Sequence, residues 1–107
     1  LLDEAREAGL TLGIATSSAR SNCETLLDNN LPPGWRQWFS AIETCDSVPL
    51  KKPSPAVYLA ALNAMGVDPT RTVALEDTLN GAAAGLAAGL VTVVTTHRFT
   101  RDAAFPN

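Results

Sequence analysis

The sequence predicts an α/β protein built on a parallel, doubly wound β-sheet, and three observations support this fold class. Short apolar runs alternate four times with stretches that have helical periodicity or are rich in alanine. The apolar runs are nearly continuous, as is typical of parallel strands that are covered on both faces. Glycine or proline separates most runs from the neighbouring helical stretches. This alternation implies right-handed crossovers and helices packed on the sheet.

Each element is predicted from its own local pattern. Gly9, Gly66 and Gly89 follow predicted helices, where glycine favours the end of a helix. Ser54 is a good N-cap, and Pro55 suits the first helical position. We therefore expect helices at residues 2–8, 22–29, 55–65 and 80–88, a short helical segment at 35–39, and strands at 10–16, 40–43, 72–75 and 91–95.

Composition limits the possible functions. A chain of 107 residues can form one small domain with one core, and an apolar fraction of 46% argues against disorder. The net charge is −3, and no basic cluster exceeds Lys51-Lys52, so we expect no nucleic-acid partner. Residues 81–95 are apolar but too few to span a bilayer, so we expect no membrane partner.

The cysteines and the chain ends suggest a cytoplasmic protein of which residues 1–107 are one part. Cys23 and Cys45 form no C-x-x-C pair, which is typical of idle thiols in a reducing compartment. The chain begins at Leu1 inside a predicted helix and stops after a loop-like tail. We therefore expect a longer parent protein, and we find no domain boundary within the chain.

Polar residues follow the first and second strands, at the sheet edge where such folds bind ligands. Thr16, Ser17 and Ser18 offer hydroxyl and N–H groups that suit a phosphate oxygen, although Ser18 could instead cap the next helix. Lys52 lies directly before a proline and could neutralise a phosphoryl group. The alternative is that Lys51 and Lys52 form a solvated pair.

Two adjacent acids, Glu76 and Asp77, follow the third strand. Burying unpaired carboxylates is costly. Mg²⁺ would satisfy them, because it binds one or two carboxylates together with water and phosphate. The alternative is that Asp77 caps the following helix.

The order and spacing of these segments resemble the second, third and fourth motifs of haloacid-dehalogenase-type hydrolases. The matching segments are LGIATSS at 12–18, KKPSPAVYLAAL at 51–62 and VALEDTLNGAAAGLAAGL at 73–90. The chain most resembles the subgroup that holds β-phosphoglucomutase and the CbbY-like sugar-phosphate phosphatases. Residues 91–100 are similar to the same region of CbbY-like members. The resemblance implies a three-layer α/β/α Rossmannoid core with a parallel sheet.

The resemblance also implies roles for individual residues. Thr16 would bind a phosphoryl oxygen through its hydroxyl, with help from the Ser17 N–H. Lys52 would hold the phosphoryl charge and steady the nucleophile. Asp77 would bind Mg²⁺, directly or through water, and Glu76 would be a second acid of the metal site. The implied ligand is a small phosphorylated metabolite, a sugar phosphate.

The family's first motif, an Asp-x-Asp pair whose first member forms an aspartyl-phosphate, is missing from the chain. The helical cap that usually follows it is missing too. Residues 1–107 would thus be the C-terminal part of the core of a Mg²⁺-dependent phosphatase, without the central first strand. Since that loss leaves strand edges open, we expect the isolated chain to be poorly stable, aggregation-prone and inactive.

Other functions are compatible with parts of this pattern. A sugar phosphomutase of the same subgroup and a non-catalytic phosphoryl-binding module both remain open. The glycines from Gly81 to Gly89 recur every four residues and do not match a dinucleotide-binding fingerprint. A receiver domain would carry its acid pair after the first strand. We expect His97 in a surface loop, and Arg98 and Arg101 could touch a phosphate, but nothing places them.

Overall fold

The computed structural model describes residues 2–95. Predictions for His97, Arg98 and Arg101 lie outside the described residues. Strands and helices alternate as predicted, in the order α1 (Leu2–Glu7), β1 (Leu12–Ala15), α2 (Arg20–Asn30), β2 (Phe39–Glu43), α3 (Ala56–Met65), β3 (Val73–Glu76), α4 (Leu79–Ala87) and β4 (Val91–Val94). Short 3₁₀ helices occupy Trp35–Trp38 and Pro69–Arg71.

Tertiary hydrogen bonds shift some element boundaries from the predicted ones. Helix α2 begins at Arg20, two residues early, because the Arg20 N–H donates to Asp46 Oδ2 at 2.8 Å from the loop after β2. Strand β1 begins late, because the Leu10 N–H donates to the Ala5 carbonyl at 3.1 Å and so belongs to the end of α1. The prediction of Ser54 as the N-cap and Pro55 as the first residue of α3 is wrong by one position, because the N-cap is Pro55 and the helix begins at Ala56. Ser54 Oγ still accepts from the Ala56 N–H at 3.2 Å, one residue before the N-cap.

The strands form two parallel pairs with a groove between them. Strand β1 pairs with β2, and β3 pairs with β4. The groove has a volume of about 510 Å³ and is lined by residues of β1 and β3. It lies where the resemblance places the family's first strand, so the parallel α/β fold is confirmed with an open position between its inner strands.

Helices α3 and α4 cover one face of the two strand pairs. Helix α3 packs on β1, β2 and α4, and α4 packs on β3 and β4. The crossovers from β1 to β2 and from β3 to β4 run away from the groove in opposite directions. Right-handed connections therefore place α2 on the face opposite α4. The main core consists of Val57, Tyr58, Leu62, Ala74, Ala84, Ala88 and Leu90.

The face of β3 and β4 that points away from α4 is apolar and exposed. Val73 lies beside Val91 and Leu75 beside Val93, and all four side chains are about half exposed. Ala74, on the other face of β3, is buried. The expectation that these strands are covered on both faces is not met within residues 2–95. A contiguous exposed apolar face such as this one marks either a contact surface or a tendency to aggregate.

The helices of the described segment are all too short or too polar to cross a bilayer.

Candidate functional site

The three predicted segments meet at one open cavity of about 850 Å³ at the carboxyl ends of β1 and β3. This placement follows from parallel strands, whose carboxyl ends share an edge of the sheet. The cavity contains all six predicted site residues. Its lining is formed by Thr16, Ser17, Ser18, Lys51, Lys52, Glu76, Asp77, Thr78, Leu79 and Asn80.

The loop after β1 is held in place by backbone hydrogen bonds. The Thr16 N–H donates to the Glu43 carbonyl at 3.0 Å, and the Cys45 N–H donates to the Ser18 carbonyl at 3.1 Å. Thr16 Oγ1 accepts from the Ser18 N–H at 3.1 Å, and a hydroxyl that accepts can still donate its proton. The alternative role for Ser18 is wrong, because Ala19 is the N-cap of α2 and has no side-chain capping bond.

Lys52 is anchored inside the site. Its Nζ donates to the Ala15 carbonyl at 3.0 Å and to Glu76 Oε2 at 2.5 Å, and its backbone N–H donates to Ser17 Oγ at 3.3 Å. Its side chain is 12% exposed, so the solvated-pair alternative is wrong for Lys52, whereas Lys51 is exposed. An ammonium group has three N–H donors, and these contacts use two of them.

Glu76 is buried and held at both its side chain and its backbone. The Tyr58 hydroxyl and Lys52 Nζ both donate to Oε2. The Glu76 carbonyl accepts from the Thr95 N–H at 2.7 Å and from Thr95 Oγ1 at 3.2 Å. A Cβ at residue 81 would overlap Glu76 Oε1, so the close approach of α4 requires Gly81. The carboxylate is therefore fixed from several sides.

Tyr58 is a site residue that the sequence analysis missed. Burial raises the pKa of its hydroxyl, and the hydrogen bond to Glu76 raises that pKa further. The hydroxyl therefore stays protonated and acts as a neutral donor. One signal was available, because Tyr58 lies in the apolar stretch of α3 and buried tyrosine hydroxyls usually have a partner. The sequence could not show that the partner is Glu76.

The structure corrects the reasoning about the acid pair. Thr78 caps α4, accepting from the Gly81 N–H at 3.0 Å, so the alternative that Asp77 is the cap is wrong. Glu76 is paired with Lys52 and Asp77 is exposed, so neither is a buried carboxylate without a partner. The metal roles of Glu76 and Asp77 stay predictions, but burial cost is not their physical basis.

The donor set still fits Mg²⁺. Within residues 2–95, no three His, Cys, Asp or Glu side chains are grouped as a complete metal cage. Mg²⁺ rarely uses such a cage and is usually held by one or two carboxylates with water and phosphate oxygens. Asp77 supplies an exposed carboxylate on the cavity that also holds Thr16 and Lys52.

A hydroxyl, an ammonium group and a carboxylate meet at the carboxyl edge of parallel strands, where α/β proteins of this kind bind their ligands, and these groups suit an anion such as phosphate together with a cation. Residues 1–89 match the haloacid dehalogenase-like hydrolase family. The chain belongs to this family, and the predicted resemblance is confirmed.

Curated relatives and solved structures extend this result. The chain is 43% identical to CbbY of Cupriavidus necator over 105 residues, which are 98% of the chain and 41% of that protein. It is 37% identical to hexitol phosphatase B of Escherichia coli over 89 residues, covering 83% of the chain and 39% of that protein. The crystal structure of CbbY from Rhodobacter sphaeroides in complex with phosphate superposes with a TM-score of 0.88 at 41% identity, over 98% of the chain and 47% of that protein. The chain thus spans less than half the length of each of these relatives.

Proposed function

We propose that residues 1–107 are the C-terminal part of the core of a Mg²⁺-dependent sugar-phosphate phosphatase. The observation that carries this proposal is the convergence of Thr16, Lys52 and Asp77 on one cavity. CbbY has been crystallised with phosphate and, as a mutant, with xylulose-(1,5)bisphosphate, which supports a phosphorylated sugar as the substrate. The free thiols Cys23 and Cys45 favour a reducing compartment such as the cytoplasm.

The residues of this chain would bind and neutralise the phosphoryl group. The Thr16 hydroxyl and the Ser17 N–H would donate to one phosphoryl oxygen, and Ser18 borders the same cavity. The N–H of Lys52 that Ala15 and Glu76 leave available would donate to another. Phosphoryl transfer spreads negative charge over these oxygens, so donors fixed before the reaction lower its barrier.

Asp77 would hold Mg²⁺. Glu76 would be a second acid of the metal site while it pairs with Lys52. When bound, Mg²⁺ offsets the negative charge of the phosphate. The exposed position of Asp77 beside the cavity supports this assignment.

The nucleophile would come from a strand outside residues 1–107. Thr16 and Ser18 line both the groove between β1 and β3 and the phosphate cavity, so a strand in the groove would end beside the phosphate. An aspartate there would attack phosphorus and break the bond from phosphorus to the sugar oxygen, which would leave as a hydroxyl after taking a proton from the second aspartate of the Asp-x-Asp pair. Water would then hydrolyse the aspartyl-phosphate, releasing inorganic phosphate and restoring the carboxylate. For this reason we expect the isolated chain to be inactive.

The test uses the full-length protein, expressed from the complete reading frame. Inorganic phosphate release is measured on a panel of sugar phosphates and bisphosphates, with and without Mg²⁺. We expect Mg²⁺-dependent turnover that falls by about 100-fold or more in Lys52→Ala and in Asp77→Asn. Lys51→Ala is the matched control, since it removes an adjacent but exposed ammonium group, and we expect a rate within about twofold of wild type.

Three outcomes would contradict this proposal. Unchanged rates in both Lys52→Ala and Asp77→Asn would remove these residues from the mechanism. Phosphate binding without turnover by the full-length protein would identify a non-catalytic phosphoryl-binding module. Formation of an isomeric sugar phosphate without phosphate release would identify a phosphomutase of the same subgroup.

A further inference from the structure

Tyr58 contacts both partners of the buried ion pair in the site. Its side chain is on α3 and is 8% exposed, and its hydroxyl donates to Glu76 Oε2. Lys52 Nζ lies 5.0 Å from the centre of the Tyr58 ring, within the range of a cation–π contact. The ring therefore lies within cation–π range of the Lys52 ammonium group, and the hydroxyl donates to the carboxylate of Glu76.

The position of the Lys52 ammonium group depends on where Glu76 Oε2 lies. Two protein acceptors hold Nζ, the Ala15 carbonyl at 3.0 Å and Glu76 Oε2 at 2.5 Å. The first is backbone and is fixed by β1. The second is the end of a side chain whose other oxygen packs against Gly81. The Tyr58 hydroxyl and Lys52 Nζ both donate to Oε2, and together they set the orientation of the Glu76 carboxylate.

We propose that Tyr58 is a positioning residue for phosphoryl transfer, which acts through Glu76 to set the place of the Lys52 ammonium group at the end of β1. This inference rests on the proposed function of the site. Without the hydroxyl, Glu76 keeps Lys52 as a donor but loses the contact that orients its carboxylate. The Lys52 ammonium group would then shift with the less restrained Glu76 carboxylate. Its remaining N–H would no longer have a fixed direction toward the phosphoryl oxygen.

The test is Tyr58→Phe in the full-length protein, which removes the hydroxyl and keeps the ring. We expect kcat/KM for the best sugar phosphate to fall by about tenfold, as for the loss of one hydrogen bond to a charged group. Calorimetry should show weaker binding of inorganic phosphate. In a Lys52→Ala background, Tyr58→Phe should change both quantities by less than about twofold, because coupled residues are not additive.

Thr72→Val is the matched control. It removes a hydroxyl that donates to the Asp68 carbonyl at 2.7 Å, next to the opposite end of β3 from Glu76, and should leave kcat/KM at the wild-type value. A purely structural role for Tyr58 would lower kcat/KM equally in both backgrounds, and that result would overturn the proposal. Wild-type kcat/KM in Tyr58→Phe would overturn it as well. Absence of both turnover and phosphate binding in the wild-type protein would instead overturn the proposed function, and this inference with it.

Discussion

Removing one partner of the buried ion pair between Lys52 and Glu76 should be strongly destabilising, and Glu76→Gln tests this. The two side chains are 12% and 7% exposed, and Nζ lies 2.5 Å from Oε2. Glutamine keeps the size and an acceptor oxygen but removes the counter-charge of a buried ammonium group. Breaking a buried pair in this way costs about 3–5 kcal/mol, because the remaining charge stays desolvated.

The free energy of unfolding of the full-length protein is measured by urea titration, with the fluorescence of the buried Trp35 as the probe. Asp3→Asn is the matched acid-to-amide control. It breaks the 3.5 Å pair with Arg6, in which Asp3 is 85% exposed, and should cost less than about 1 kcal/mol. A loss in Glu76→Gln no larger than in Asp3→Asn would refute the argument that burial makes the removal of one partner costly.

Two further predictions concern the packing of α4 and the cap before β3. Gly81→Ala should lower the free energy of unfolding by about 1–3 kcal/mol despite the better helix propensity of alanine, because its Cβ would overlap Glu76; urea titration checks this, and a gain in stability would contradict it. The side-chain and backbone hydrogen bonds from Thr70 lower the pKa of Asp68. Because the pKa is lowered in the folded state, the contribution of Asp68 to the free energy of unfolding is complete above the unfolded-state pKa. That contribution is lost as pH falls through the folded-state pKa. The stability difference between wild type and Asp68→Ala should therefore shrink between about pH 6 and about pH 3, and a constant difference would contradict this.

The order of elements and the meeting of the site residues could be predicted from the sequence. Thr16 is the last residue of a predicted strand, Lys52 and Asp77 each come after one, and parallel strands bring such positions to one edge. Local sequence patterns were sufficient to predict the order of the elements, because apolar runs and glycines at helix ends can be recognised from a few neighbouring residues.

The partners within the site could not be predicted, because they depend on contacts between residues far apart in the chain. Glu76 was expected to need a cation from outside the protein, yet its cation is Lys52, 24 positions earlier. Tyr58 reaches the same carboxylate from α3 across the core. Asp46 extends α2 from 26 positions away, a cap that no neighbouring residue of the helix reveals.

Helix α3 joins the two halves of the molecule. It packs on β1 and β2, and its Val57, Tyr58 and Leu62 share one core with Ala74 and Leu90. Two-stranded units are only marginally stable by themselves. A substitution that loosens α3 would therefore let the half that carries the hydroxyl and ammonium groups separate from the half that carries the acids. In residues 1–107, such a change would disassemble the phosphate cavity before either strand pair unfolds, so binding of inorganic phosphate should disappear at a lower temperature than secondary structure.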